Sequence, residues 1–322
     1  MNFTPTSNPS LVEGFCIIKS IEQKTTAKGA PFLDMTISDS SGEMNAKFWD
    51  VKELHVKFSV YDFVKVRGSV VSYNGSEQFR VDRIRHVTDA DNVKIEDYVE
   101  STTLSGTVML RQIENTVAAF KSEELKKLVT AVIDENREKL LYWPAALKLH
   151  HAVRGGLLFH TLSILRLAKG VADIYTFVNT DLLYSGIILH DIAKIDEIKV
   201  SESGIASDYT VKGNLLGHLV MGAINIDRTG RQLGISDETL TLIEHMLISH
   251  HGKPEFGAAQ FPMFIEAEIL SELDLLDARM EEMSSQLKQK NPGEFTARQW
   301  LLDNRKLYNH GLNGEFITNL DE

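Results

Sequence analysis

Five histidines, His160, His190, His218, His250 and His251, each lie within or at the end of an apolar segment of helical character, and Asp191 and Asp274 lie in equally apolar surroundings. An imidazole or carboxylate placed there without a partner loses its hydration and gains nothing in return. Any one of them alone is more readily a hydrogen-bonded core group than a ligand, and a His-Asp dipeptide is common on helices. Seven such groups in the second half of one chain are harder to explain separately and point to a shared metal centre. In GIILHDIAKIDEI, residues 186 to 198, His190 and Asp191 precede Lys194 by four and three positions, so on a helix the lysine projects over the same patch. A metal ion and a lysine would then face one phosphate, although Lys194 could instead pair with an acidic neighbour such as Glu197. In LSELDLLDARM, Leu270, Leu273, Leu276 and Met280 form a packed side with Asp274 and Asp277 at its margins, and spacing does not choose between the two aspartates.

Positioning these groups requires helices. From Trp143 onward the pattern is helical at almost every point, interrupted by EIKVSESGIASDYTV, whose alternation and turn residues predict a short hairpin between helices. Residues 91 to 150 read as a helical connector with one buried face through Val117, Phe120, Leu125, Leu128, Val129 and Val132. Residues 13 to 85 read differently, as five short runs rich in Val, Ile, Phe and Tyr separated by turn signals, which fits a small barrel. The expected organisation is therefore multidomain: an all-β barrel over 12–90, the connector over 91–150, an all-α domain over 151–290 and a tail over 291–322.

At 322 residues, with 43% hydrophobic and 25% charged, the chain is long enough for two domains with their own cores. A single cysteine, Cys16, excludes an internal disulfide framework and a thiolate zinc site. No signal peptide is legible at the N-terminus and no apolar run approaches the roughly 20 residues of a membrane span, so a cytoplasmic protein without a membrane partner is expected. The net charge of -11 argues against nucleic-acid binding by the chain as a whole. Residues 1 to 90, however, balance 11 basic against 11 acidic side chains, which leaves the barrel free to carry a basic face.

The phrase PFLDMTISDSSGEMNAKFW within the five-stranded pattern resembles the OB-fold of nucleic-acid-binding modules, which stack bases on exposed aromatics and follow the backbone with basic residues. Candidates for such contacts are Phe48, Trp49, Tyr73, Phe79, Arg80, Arg83 and Arg85; each aromatic is more readily a core residue of so small a barrel, and the arginine cluster is the stronger candidate, with a solvated edge as its alternative.

The order His, His-Asp, distant Asp resembles the HD metal-dependent phosphohydrolase superfamily, an all-helical fold. That resemblance implies metal ligation by His160, His190, Asp191 and Asp274, and identifies His218, His250 and His251 as the additional ligands of two-metal members. Whether His250, His251 or both bind stays open, because adjacent helix positions point about 100° apart. A ligand set without thiolate suits manganese, with iron, cobalt or magnesium as other divalent choices. Read with the barrel, the stretches YWPAALKLHH, DLLYSGIILHDIAK, YTVKGNLLGH, LISHHGK and EAEIL make residues 12 to about 305 similar to the bacterial YhaM-type 3'-to-5' exoribonucleases. The resemblance implies stepwise hydrolysis of single-stranded RNA, with DNA as a further substrate, by a water activated between two metals that Asp191 bridges, with Lys194 stabilising charge on phosphate.

Two other functions use the same residues. An HD-type cyclic-nucleotide or nucleotide phosphohydrolase would need no barrel, and a non-catalytic RNA-binding protein with a structural metal would keep no open position for water. His150, His151 and Arg154, just ahead of His160 in LHHAVRGGLLFH, are candidates for a substrate phosphate or for support of the ligands. Gly155 and Gly156 there suit a sharp helix entry or close helix approach. A homo-oligomer is compatible with the long connector and acidic helical surface, although no residue pattern requires one.

Overall fold

The computed structural model describes residues 2–6, 11–49, 51, 57–73, 75–147 and 151–320. The chain divides into two compact units, one of residues 1–101 with 200–205 and one of 102–199 with 206–322. The helices of the expected connector therefore belong to the second unit.

In the first unit a short strand β1 (Thr4–Pro5) pairs with β2 (Val12–Thr25), followed by β3 (Pro31–Asp39), β4 (Gly42–Phe48), β5 (Phe63–Tyr73) and β6 (Ser76–His86). β2 is long enough to serve two neighbours. Its first half pairs with β5 and its second with β3, and a register shift between Ile18 and Ser20 turns it from one to the other. The circuit β2-β3-β4-β6-β5 and back to β2, with β4–β6 as the one parallel pair, closes a five-stranded barrel in the strand order of an OB-fold. Its core is Cys16, Ile18, Met35, Ile37, Ala46, Phe48, Val64, Val66, Phe79 and Val81. Burial pushes the Cys16 thiol up to about 12, so it behaves as a small apolar group.

The second unit holds α1 (Gly106–Ala118), α2 (Glu123–Leu140), α3 (Gly156–Ile174), α4 (Thr180–Leu189), α5 (Lys194–Glu197), α6 (Val211–Leu233), α7 (Asp237–Ser249) and α8 (Ile265–Leu287). Side-chain caps start five of these helices: Ser105, Ser122, Asn179, Thr210 and Ser236 each accept from a backbone N–H one turn on. α3 is buried continuously from Gly156 to Leu165, which makes it the central helix, and α1, α4 and α8 pack around it. The predicted hairpin forms as β7 (Ile198–Val200) and β8 (Ala206–Tyr209). It returns the chain so that the Thr210 N–H donates to the Glu197 carbonyl at 2.8 Å, which sets α6 against α5. Among the described residues no helix is long and apolar enough to cross a membrane.

Candidate metal centre

Six helices deliver the predicted residues to one buried place. His160 comes from the interior of α3, His190 and Asp191 from the end of α4, Lys194 from the start of α5, His218 from α6, His250 and His251 from the end of α7, and Asp274 from α8. Asp191 stands in the middle and divides the others between its two oxygens. On the Oδ2 side, His190 Nε2 is 3.4 Å and His160 Nε2 3.7 Å away, and Asp274 Oδ1 lies 3.1 Å from His160 Nε2 and 3.9 Å from His190 Nε2. On the Oδ1 side are His218 Nε2 at 3.2 Å and His250 Nε2 at 3.7 Å. One ring nitrogen from each of His218, His250 and His251 falls within 4.8 Å of the others, and the same holds for His160 and His190 with an Asp191 oxygen.

The rings are aimed by what holds their other nitrogen. His190 Nδ1 donates to the Ile187 carbonyl at 2.7 Å, His250 Nδ1 to Leu247 at 2.8 Å and His251 Nδ1 to Phe256 at 2.9 Å. A carbonyl can only accept, so each of these imidazoles keeps its proton on Nδ1 and turns the Nε2 lone pair inward. His218 Nδ1 meets Glu197 Oε2 at 3.0 Å and His160 Nδ1 meets Asp277 Oδ2 at 2.7 Å. This pattern of oriented imidazoles is the one that supports metal ligation. α7 ends at Ser249, with His250 as its cap and His251 beyond it, so the two rings are not set apart by a helical rotation and each brings a nitrogen to the same group as His218.

Three buried polar atoms lack a hydrogen-bond partner among the described residues: Asp191 Oδ1, His218 Nε2 and His250 Nε2. His218 Nε2 and Asp191 Oδ1 are 3.2 Å apart but not aligned for a hydrogen bond. Buried orphans are costly, and these three converge on one point, so the donor set fits a divalent cation. The electrostatics agree. Burial alone would raise Asp191, but Lys194 and His190 hold it well below the usual carboxylate range. Burial and the neighbouring His190 and His251 push His250 well below its ordinary value, and burial with His218 lowers His251, so both offer lone pairs at neutral pH.

Lys194 is brought to the patch as the spacing predicts, but its ammonium pairs with Asp191 Oδ2 at 2.5 Å, not with Glu197. Trp143 of the YWP stretch fixes this turn by donating from Nε1 to the Lys194 carbonyl at 3.0 Å. Glu197 accepts from both the backbone N–H and the ring of His218. Asp277 is buried and gathers His160, His151 at 2.9 Å and the Ser163 hydroxyl. Asp274 and Asp277 thus have different tasks, one facing the Nε2 side of His160 and the other its Nδ1 side. Of the supporting residues, Ser163 has no sequence signal beyond standing one helical turn after His160, while Asp277 enters the sequence reading only as the alternative to Asp274 and Glu197 only as a partner for Lys194.

His151 reaches the centre through Asp277, whereas the Arg154 guanidinium lies 5.2 Å from the Tyr142 ring centre. His150 lies outside the described residues. Gly156 allows the tight entry to α3, since a Cβ there would stand 2.0 Å from the His151 carbonyl oxygen. Gly217 breaks α6 with φ 69° and ψ 162°, a conformation essentially reserved for glycine, and the break frees the His218 N–H for Glu197. A Cβ at Gly217 would meet only Glu197 Oε1, at 3.9 Å, so the requirement is backbone and not space. Gly217→Ala should therefore cost about 1–3 kcal/mol in a thermal melt and lower metal content by elemental analysis; an unchanged melt and full metal content would contradict this.

On the barrel the predicted contacts separate. Phe48 and Phe79 are corrected: both point into the core, Phe79 fully buried and stacked on Phe3, and a buried ring offers no face to a base. The strand alternation that puts Phe48 inward beside Leu33 and Val81 puts Lys47 outward beside Asp34 and Arg80. Trp49 and Tyr73 are 40% and 62% exposed, Trp49 stacks on Phe32, and the Lys47 ammonium lies 5.6, 5.9 and 6.0 Å from the ring centres of Phe32, Trp49 and Tyr73. Lys47 and Phe32 were not among the predicted contacts, although Lys47 is one strand step from Phe48. Arg80 and Arg83 are exposed and make no ion pair among the described residues, whereas Arg85 is held by both oxygens of Asp91 at 2.7 and 2.6 Å.

Fold and centre together define a helical HD-domain protein with an OB barrel ahead of it, and the HD-domain family model matches residues 157–279. The chain belongs to the family of YhaM 3'-5' exoribonucleases. It is 38% identical over 299 residues to the 3'-5' exoribonuclease YhaM of Listeria welshimeri, covering 92% of this chain and 95% of that one. It is 36% identical over 298 residues to the YhaM of Bacillus subtilis, covering 92% and 94%. The single-stranded DNA binding protein of Thermus aquaticus aligns with 24% of this chain and 40% of its own at 13% identity and a TM-score of 0.23, which adds nothing to the strand order.

Proposed function

We propose that the chain is a metal-dependent 3'-5' exoribonuclease that shortens single-stranded RNA to nucleoside monophosphates. The observation that carries the mechanism is Asp191, whose two carboxylate oxygens each face a separate set of inward-aimed imidazoles. His160, His190 and Asp274 would hold one divalent ion, His218, His250 and His251 the second, with Asp191 shared; imidazole and carboxylate donors favour manganese. Ions so held would lower the pKa of a water and polarise a phosphoryl oxygen. Asp277 and Glu197 keep His160 and His218 turned toward the centre. Lys194 adds a fixed positive charge beside Asp191 that can meet the charge growing on the non-bridging oxygens. Trp49, Tyr73 and Lys47, with Arg80 and Arg83, would hold the single strand by stacking and charge.

The test is incubation with manganese and 5'-labelled single-stranded RNA, in parallel with cyclic nucleotides. A ladder that shortens from the 3' end is expected; intact RNA beside hydrolysed cyclic nucleotide would overturn the reading. The barrel contacts have their own readout. Trp49→Ala and Tyr73→Ala should each weaken RNA binding by about 1–3 kcal/mol in fluorescence anisotropy, with metal content unchanged. Undiminished affinity in both variants would remove this face from the RNA path.

A further inference from the structure

The loop after α7 has more order than a connection requires. From Ser249 it turns through Gly252 and a short 3-10 turn, Pro254–Phe256, and it is tied at every step: Gly252 N–H to the Ser249 carbonyl at 2.8 Å, Lys253 N–H to His251 at 2.8 Å, Phe256 N–H to Lys253 at 2.9 Å and Ala259 N–H to Ile248 at 2.9 Å. Its innermost bond is the one the Phe256 carbonyl accepts from His251 Nδ1. His251 is also the only half-buried member of its imidazole trio, so this turn stands where the centre meets solvent. On this fixed turn Phe256 is 60% exposed and Lys253 is exposed, with no ion pair among the described residues. A large aromatic ring held by its own backbone within one hydrogen bond of the centre is a rigid, sequence-tolerant surface for a nucleobase, and the neighbouring lysine suits the strand's charge.

We propose that Phe256 is a positioning residue that stacks on a base at the 3' end of the strand and thereby sets the terminal phosphodiester at the centre. The inference rests on the exoribonuclease reading and names the part of the substrate that the turn receives. The His251 bond is made by the Phe256 backbone, so Phe256→Ala removes the ring and leaves that imidazole held.

The experiment compares unaltered protein, Phe256→Ala and Phe256→Trp, all loaded with manganese, on a single-stranded RNA and on the same RNA lacking its 3'-terminal base. Phe256→Ala is expected to keep full metal content and to raise KM for the ordinary RNA roughly 5- to 100-fold, the equivalent of losing one base stack. Unaltered protein should show a similar rise on the RNA lacking the base, Phe256→Ala should add nothing further to it, and Phe256→Trp should behave as the unaltered protein. An unchanged KM in Phe256→Ala overturns the inference. So does an equal penalty on both RNAs, which would mean that the side chain acts through His251. If the unaltered protein leaves the ordinary RNA whole, the exoribonuclease reading falls first and the inference with it.

Discussion

Asp191→Ala should abolish RNA shortening, with a loss on the order of 10³-fold or greater, the scale on which removal of a transition-state electrostatic anchor is read. It should also lower metal content by more than any single histidine variant, because among the described residues Asp191 is the one carboxylate with an oxygen on each of the two imidazole groups. The same change has a separate cost in the metal-free protein. Lys194 is pinned 2.5 Å from Asp191 Oδ2 in a region where the carboxylate is 3% exposed. Removing one member of a buried pair leaves the other charge stranded, at roughly 3–5 kcal/mol. Asp191→Ala/Lys194→Met should recover most of that stability in urea melts and none of the activity. A double variant as unstable as the single one would mean that Lys194 reaches water and is not confined by the pair; a single variant that still shortens RNA would place the chemistry elsewhere.

What the sequence made legible and what it hid follow from the kind of information each residue carries. The barrel strands and the hairpin between helices are written in local patterns and occur where those patterns place them, and the histidines and aspartates picked out by their apolar surroundings come together. Phe48 and Phe79 lie inward although alternation alone fixes only that neighbours face opposite ways; the inward face is set by the neighbouring strands, where Phe48 stands beside Leu33 and Val81 and Phe79 beside Ala46. Arg85 was legible as a charge, but its capture by Asp91 depends on the short 3-10 turn after β6. The sequence treats His250 and His251 as neighbours on one helix, whereas α7 ends at Ser249, and the carbonyls that aim these rings, those of Leu247 and Phe256, belong to no motif because every residue carries one. Asp277 and Glu197 were visible as acids one turn from marked residues, but their work is done on the far nitrogen of a histidine, which spacing alone does not reveal.

The position of His160 between two carboxylates should make metal uptake at the proposed centre dependent on pH. Without metal its Nδ1 faces Asp277 at 2.7 Å and its Nε2 faces Asp274 at 3.1 Å, so the ring is held as an imidazolium with a proton on each nitrogen. Burial opposes the charge, but the two aspartates outweigh it and raise the group to about 10, while both aspartates are held well below the ordinary carboxylate range. A raised folded-state pKa stabilises the metal-free protein fully below about 6.5, the unfolded value, and the contribution is lost as pH rises through about 10. A metal ion takes the Nε2 lone pair and must displace that proton, so apparent affinity should rise with pH through this window, up to about tenfold per unit for each proton released. His218 is also raised, because Asp191 and Glu197 outweigh its burial, and it steepens the slope. Titration calorimetry with manganese in buffers of different ionisation enthalpy should report at least one proton released between about pH 6.5 and 8.5. Asp277→Asn removes one of the two carboxylates, so the steep region should move to lower pH while the weakened support of His160 costs about 10–100-fold in affinity at its best. Affinity that is flat across the range, with no proton released, would mean that His160 is already neutral before metal arrives and that its two aspartates do not share a charge with it.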